Sequence, residues 1–315
     1  EHDNIRAALM WALERPDPAC ALTMASAVWR FWQKRGHLRE ARERLRDLLA
    51  RPWSRDDPRL LAKALEAAGG VEYWHGELEG ARPFYQEALG IWRAEGDRAE
   101  IANALYNLSF CYSFGVDHAE GRRLLEEALA LYRELGDARG TASVHWGIGV
   151  SYYFDSAHAE ALGHFEESLA LFRRLDDRTM ESWALHQAGS TLLKMGETAR
   201  ATETMREALR HFHGVGDLAG VTMLFDDLSA AAVAVEELPR AARLSGAARD
   251  LQRASGTDLA RYVEEKFEEL TRPSARQRMT PDELERYAAE GRRLSIDEAV
   301  AYALGGDLPM ADPAG

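Results

Sequence analysis

A strict internal period constrains this chain more than anything else in it. Leu48, Ala88, Ala128, Ser168, Ala208 and Ala248 stand 40 residues apart, and no gap is needed to hold the register. A second compact series runs Ala41, Ala81, Gly121, Ala161, Ala201 and Ala241. A third runs Gly69, Ser109, Gly149, Gly189 and Ser229, with Trp29 departing in the first copy. Self-similarity at a period of roughly 20–50 residues is the mark of a repeat array, whose units bury a continuous core only by stacking on their neighbours. The 315 residues would otherwise suit two globular domains; the period makes them one elongated solenoid.

Each copy reads as a helix, a polar or Gly-containing turn and a returning helix. Six copies cover about 17–56, 57–96, 97–136, 137–176, 177–216 and 217–256. The compact residues let the two helices of a copy approach closely and antiparallel, while Leu45, Tyr85, Leu125, Phe165 and Met205 fill the space beyond, a series that Ser245 breaks. Copies end in Gly96-Asp97, Gly136-Asp137, Asp176-Asp177 and Gly216-Asp217. A Gly suits the left-handed end of one helix and an Asp suits the N-cap of the next, so one dipeptide stops a helix and starts another.

A leading helix is expected within 1–16, with Ile5, Leu9 and Leu13 on one face, Asp3 or Asn4 as its cap and Pro16 as its stop. Beyond 256 the period fails, and residues 257–306 read as capping helices. One is amphipathic over 258–271; two shorter ones, about 281–291 and 296–304, open on the capping boxes Thr280-Pro-Asp-Glu283 and Ser295-Ile-Asp-Glu298. Their apolar faces suit a lid over the open end of the array, which solubility requires. The tail 307–315 is expected to be disordered.

Leu105-x-x-Leu108-Ser109-x-x-Tyr112, and Ile148-Gly149-x-x-Tyr152 with Ala161-x-x-x-Phe165, resemble the core signature of the tetratricopeptide repeat. The familiar unit has about 34 residues, so the longer period here implies helices extended by about a turn, with Gly-Asp in place of the family's closing proline. The resemblance implies an all-α, right-handed superhelical solenoid of antiparallel helix pairs with C-terminal capping helices. Extended units of this kind resemble those of bacterial signal-transducing NTPases and of transcription regulators of the maltose-activator and LuxR-like types. The stretch Ala289 to Leu304 is similar to the end of the repeat domain in actinobacterial regulators, and Glu1-His-Asp-Asn-Ile-Arg-Ala-Ala-Leu is similar to the junction where such repeats begin. With Glu1 in place of an initiating Met, the chain reads as a piece of a longer polypeptide whose adjacent domain is an NTPase switch or a DNA-binding domain.

Chemistry is not visible in the pattern. Gly147-Ile-Gly149 lies inside a helix pattern, not between a strand and a helix, and no Gly-Lys-Ser/Thr phosphate loop occurs. Of the ten histidines, His211 and His213 fall about 200° apart around a helix, and His158 and His164 have no partner at ligand spacing. The pairs Glu126-Glu127 and Glu166-Glu167 recur at matching sites and read as a solvated outer face. Cys20 and Cys111 fit no metal or disulfide spacing. The expectation is a chain without catalytic residues, metal or cofactor.

Lys+Arg 39 against Asp+Glu 52 leaves a net charge of −13, which opposes direct contact with nucleic acid. No apolar run approaches the ~18 residues of a membrane span, and a cytoplasmic location is the default reading.

The resemblance places the first helix of each pair on the concave side. A stripe beside the compact series then takes i, i+3, i+7 and i+10: Lys63, Glu66, Gly70 and Tyr73; Asn103, Tyr106, Phe110 and Ser113; Ser143, Trp146, Val150 and Tyr153; Trp183, His186, Ser190 and Leu193. Six aromatics on it, Tyr73, Tyr106, Phe110, Trp146, Tyr153 and Trp183, with Asn103 and His186 for orientation, form the candidate groove for a protein or peptide partner or a small-molecule effector. The same rings could instead pack between successive helices as core. Two functions follow: a non-catalytic binding or sensor module of a larger signalling or transcription-regulatory protein, or a scaffold arm that joins copies of the chain with no ligand in its groove.

Overall fold

The computed structural model describes residues 2–14, 19–34, 37–113, 117–255 and 278–307. Among them it forms fifteen α-helices, one 3-10 turn and no strand. The chain divides into two compact units, Glu1–Asp155 and Ser156–Gly315. The first holds α1 (His2–Leu13), α2 (Ala19–Lys34), α3 (Leu38–Leu49), the 3-10 turn Pro52–Arg55, α4 (Pro58–Trp74), α5 (Leu78–Glu95), α6 (Arg98–Ser113), α7 (His118–Leu135) and α8 (Ala138–Phe154). The second holds α9 (His158–Arg174), α10 (Arg178–Lys194), α11 (Thr198–Val215), α12 (Leu218–Ala234), α13 (Leu238–Ser255), α14 (Pro281–Arg292) and α15 (Ile296–Ala303). The helix expected over 258–271 and the tail 308–315 lie outside the described residues.

The 40-residue register is visible in the helix starts: first helices begin at 58, 98, 138, 178 and 218, and second helices at 38, 78, 118, 158, 198 and 238. Within the units α4 pairs with α5, α6 with α7, α10 with α11 and α12 with α13. The compact series does what close approach requires. A Cβ on Gly69 would meet the Tyr85 ring at 2.9 Å, and one on Gly189 would meet Met205 Cγ at 2.7 Å. Leu45, Leu125, Phe165 and Met205 are all 0% exposed. Each such side chain contributes about 1.5–3 kcal/mol by leaving water.

A further periodic set lies one turn later on the second helices. Trp92, Tyr132, Phe172 and Phe212 are buried, and the Tyr132 and Phe212 rings pack on Gly140 and Gly220 in the first turn of the next helix. Gly220 leaves room for Phe212, whose ring would stand 2.5 Å from a Cβ there.

The Gly-Asp junctions behave as the backbone rules demand. Gly136 and Gly216 end their helices at φ 69° and 70°, and the N–H of the following Asp returns to the carbonyl of Tyr132 (2.9 Å) or Phe212 (2.9 Å). The carboxylates of Asp137 and Asp217 then accept the N–H of Gly140 at 2.8 Å and Gly220 at 3.0 Å. Asp176 adopts the same left-handed conformation, φ 53°, without being glycine. Asp176→Gly is therefore expected to stabilise the second unit by up to about 1 kcal/mol, read as a higher urea midpoint at unchanged slope.

At the start of the chain the outcome differs from expectation. The leading helix begins at His2, so Asp3 and Asn4 lie in its first turn and do not cap it. Asp3 sits there with Arg6 at 3.9 Å, where the helix dipole favours an acid. At the other end both capping boxes form: Thr280 with Glu283, and Ser295 with Glu298. The helices they open lie over α13, and α15 also reaches α11. Arg243 Nε donates to Glu290 at 2.8 Å, and Arg206 Nε to the Ala303 carbonyl at 3.3 Å. The outward carboxylates are not all idle, since Glu127 pairs with Arg93 at 2.8 Å and Glu207 with Arg173 at 2.7 Å, on neighbouring second helices.

Candidate binding groove

In the first unit the first helices α2, α4, α6 and α8 carry one array of rings. Phe110 on α6 is its hub. Its ring centroid lies 6.1 Å from Tyr73 of α4, 4.9 Å from Tyr106 one turn back on its own helix, and 5.7 Å from Trp146 of α8. The planes are tilted or edge-to-face, at 51°, 86° and 60°, the arrangement the ring quadrupole prefers. Phe110 is only 8% exposed, whereas Tyr73, Tyr106 and Trp146 are half-buried. The two readings of these rings thus meet in one geometry: edges pack between successive helices and the remaining surface stays open.

The polar groups on this wall are ordered. Burial raises the pKa of the Tyr73 and Tyr106 hydroxyls, which keeps them neutral donors, and Tyr106 is hydrogen-bonded to Ser143. Asn103 is exposed; it accepts from the Tyr132 hydroxyl at 2.6 Å and donates to Glu100 at 3.3 Å. Tyr153 stands edge-on to Phe154 at 5.5 Å, near the end of α8.

Arg30 escaped the sequence analysis, which began its stripe at the second copy and read Trp29 only as a departure from the compact series. Carried back 40 residues from Gly70, the stripe reaches Arg30. Trp29 occupies a compact position, and its ring uses the space over Gly70, where a Cβ would meet it at 2.6 Å. The Arg30 guanidinium lies over the Trp29 ring, 4.0 Å from its centroid. Arg30 is exposed, yet desolvation by the surrounding protein lowers its pKa, offset in part by Tyr85, Tyr106 and Tyr73.

Trp183 and His186 lie in the second unit, on α10. Trp183 is half-buried and edge-on to Phe212 at 4.9 Å and to His186 at 5.8 Å. His186 is 4% exposed; its Nε2 lies 2.8 Å from Asp227 Oδ2 of α12, and Ser190 Oγ donates to the same oxygen at 2.5 Å. That imidazole ties α10 to α12.

One trio among the described residues could approach a cation. Glu181, Glu207 and His211 bring ligand atoms within 4.8 Å of one another. Glu207 and His211, one helical turn apart, were not paired in the sequence analysis. Arg173 already bridges the two carboxylates, at 3.0 Å from Glu181 and 2.7 Å from Glu207, so the arrangement is an ion-pair network. Cys111 is buried, which pushes its thiol up to about 12 and away from reactivity. Among the described residues no helix is long and apolar enough to cross a membrane.

Antiparallel helix hairpins stacked at a fixed period define an α-solenoid repeat protein. The tetratricopeptide repeat model matches residues 60–134, 116–174 and 140–212, so the chain carries tetratricopeptide repeats over that stretch. No curated protein sequence matches it. Among solved structures, a Rap protein complexed with competence and sporulation factor is similar over 95% of this chain and 85% of its own, at 14% identity and TM-score 0.69. NprR in complex with its cognate peptide NprX is similar over 92% and 84%, at 15% identity and TM-score 0.65. A signal transduction ATPase with numerous domains, carrying a tetratricopeptide repeat sensor, from Pyrococcus horikoshii is similar over 96% of this chain and 41% of its own, at 15% identity and TM-score 0.57. At these identities the likeness is one of fold.

Proposed function

We propose that this chain is a non-catalytic sensor module that captures a peptide or a segment of a partner protein, within a larger bacterial signalling or transcription-regulatory protein. The observation that carries the reading is the array Tyr73, Tyr106, Phe110 and Trp146, drawn from three successive first helices, in which Tyr73, Tyr106 and Trp146 stay partly exposed around a buried Phe110. Large rigid rings that remain partly exposed supply contact area at little entropic cost, and ordered hydroxyls beside them fix orientation. Asn103 lies one turn before Tyr106 on α6, Tyr153 lies two turns beyond Trp146 on α8, and Trp183 offers a similar half-buried ring in the second unit. Rap and NprR, two structures of like fold, are seen with a factor and a peptide bound. Binding would act on an attached switch or DNA-binding domain through different affinities for two arrangements of the whole protein.

The test is a fluorescence titration with a panel of short apolar and aromatic peptides. The double variant Y106A/W146A is expected to weaken binding about tenfold or more, the scale of a truncated hot spot. Unchanged affinity would remove the groove. Concentration-dependent self-association in sedimentation, indifferent to the double variant, would instead support a scaffold that joins copies of the chain.

A further inference from the structure

We propose that the outer face of α1, together with the edge of α3 beside it, docks a basic amphipathic helix of a partner protein. This face lies outside the ring array, so the inference goes beyond the groove reading and does not depend on it.

The exposed apolar side chains single α1 out. Among the described residues Leu135, Leu175, Met195, Val215, Leu218 and Val235 are exposed, but each stands at a helix end or in the residue that caps it. Scattered apolar groups of that kind are ordinary. Met10 and Trp11 are instead neighbours within one helix, 47% and 52% exposed. Ala7, one turn back, is exposed as well. On the opposite side of the helix Leu9 and Ala12 are buried in the core shared with α2. The outward side chains thus form a second apolar face, and its largest member is a tryptophan, a residue enriched among interface hot spots.

The charges around that face select the occupant. Arg6 donates to both oxygens of Glu40 on α3, at 2.7 and 2.8 Å. Arg44 stands 3.8 Å from the same carboxylate and 3.6 Å from the Met10 sulfur. The two bases between α1 and α3 are therefore engaged by one acid. Glu14, just past α1, and Glu43 and Asp47 on α3 are exposed, and no base among the described residues pairs with them. Glu43 and Asp47 line a concavity between the two helices with Arg6, Glu40 and Arg44. An apolar centre rimmed by unanswered carboxylates complements an apolar row flanked by lysines or arginines, and an amphipathic helix presents such a row to a groove at i, i+3, i+4 and i+7. A second copy of this chain would bring the same carboxylates together, and an anionic membrane would repel them.

Three fluorescein-labelled, alanine-based helical peptides test the assignment: one with a leucine row flanked by lysines, one with the same row flanked by glutamates, and one with the lysines kept and the leucines replaced by serine. Binding to the full chain is read by fluorescence anisotropy for wild type, W11S, the charge reversal E43K/D47K and Y106A/W146A, each checked for native helicity by circular dichroism. The lysine–leucine peptide is expected to bind about tenfold tighter than either of the others. W11S should weaken it about tenfold, and E43K/D47K should invert the order so that the glutamate-flanked peptide binds tighter. Y106A/W146A should change none of this. Failure of the lysine–leucine peptide to bind folded wild type, a preference that survives E43K/D47K, or binding kept in W11S and lost in Y106A/W146A overturns the docking face and leaves the groove to its own titration. Self-association in sedimentation, or retention on phosphatidylserine vesicles, that W11S abolishes also overturns it, by giving the face to a second copy or to a membrane.

Discussion

Replacing Asp227 by alanine is expected to destabilise the second unit by about 3–5 kcal/mol, the scale seen when one partner of a buried polar pair is removed. Asp227 is 2% exposed, and its Oδ2 is the shared acceptor for His186 Nε2 and Ser190 Oγ. Without it, the His186 Nε2 donor is left buried without an acceptor and the Ser190 hydroxyl keeps only the His186 carbonyl at 3.1 Å, while the Nδ1 of His186, also buried, already has no partner among the described residues. A buried donor left unmade costs its full desolvation, whereas replacing the whole set by apolar groups need not. The triple variant H186L/S190A/D227L is accordingly expected to recover much of the loss. The measurement is urea unfolding of the full chain, with hydrogen exchange to locate the effect on α10 and α12. A loss below about 1 kcal/mol for Asp227→Ala would show that the pair is not a structural tie.

The second large effect is expected at the crossing of α13 and α14. A Cβ on Gly246 would run into the carbonyl oxygen of Ala288, and one on Gly291 into that of Arg243. The obstacle in both cases is backbone, which cannot turn aside as a flexible side chain can. Gly246→Ala is expected to cost about 3 kcal/mol, the upper end of ordinary overpacking, although alanine is by propensity the better helix former. The damage should appear as lost hydrogen-exchange protection in α14 and α15, with α9 and α10 less affected. Gly163→Ala supplies the control, because nothing lies within 4 Å of a Cβ there. Equal stability of the two variants would mean that the capping helices do not rest on α13 as described.

The array itself was legible because its signals are local or strictly periodic. Positive φ at Gly96, Gly136 and Gly216 needs only the residue itself, and an Asp that caps a helix needs only the next three N–H groups. The capping boxes at Thr280 and Ser295 are legible for the same reason. At Asp3 this reasoning misplaced the cap, because a helix start is decided by a few hydrogen bonds that one more turn can outbid. The buried aromatic set at 92, 132, 172 and 212 was equally periodic, and a search restricted to compact positions passed over it.

The candidate groove was legible only as a stripe. Helical period placed Tyr73, Tyr106, Phe110 and Trp146 on one side, and they meet there. It could not rank their exposure, since the burial of Phe110 is set by rings from the helices before and after it. Nor could it tell that His186, on the same stripe, turns its Nε2 to an aspartate 41 positions later. Arg30 lay one copy before the place where the aromatic pattern became conspicuous.

By itself the sequence determined the all-helical array, its period, the joints between copies and the side of the first helices that carries the rings. Those properties follow from φ preferences, capping and the 3.6-residue turn, each of which acts within a few positions along the chain. The tertiary structure decided which of those rings remain open and which polar groups are consumed in tying helices together. Such outcomes depend on what lies alongside each residue from a different copy, about 40 positions away, where distance and burial are set by packing and not by the local chain.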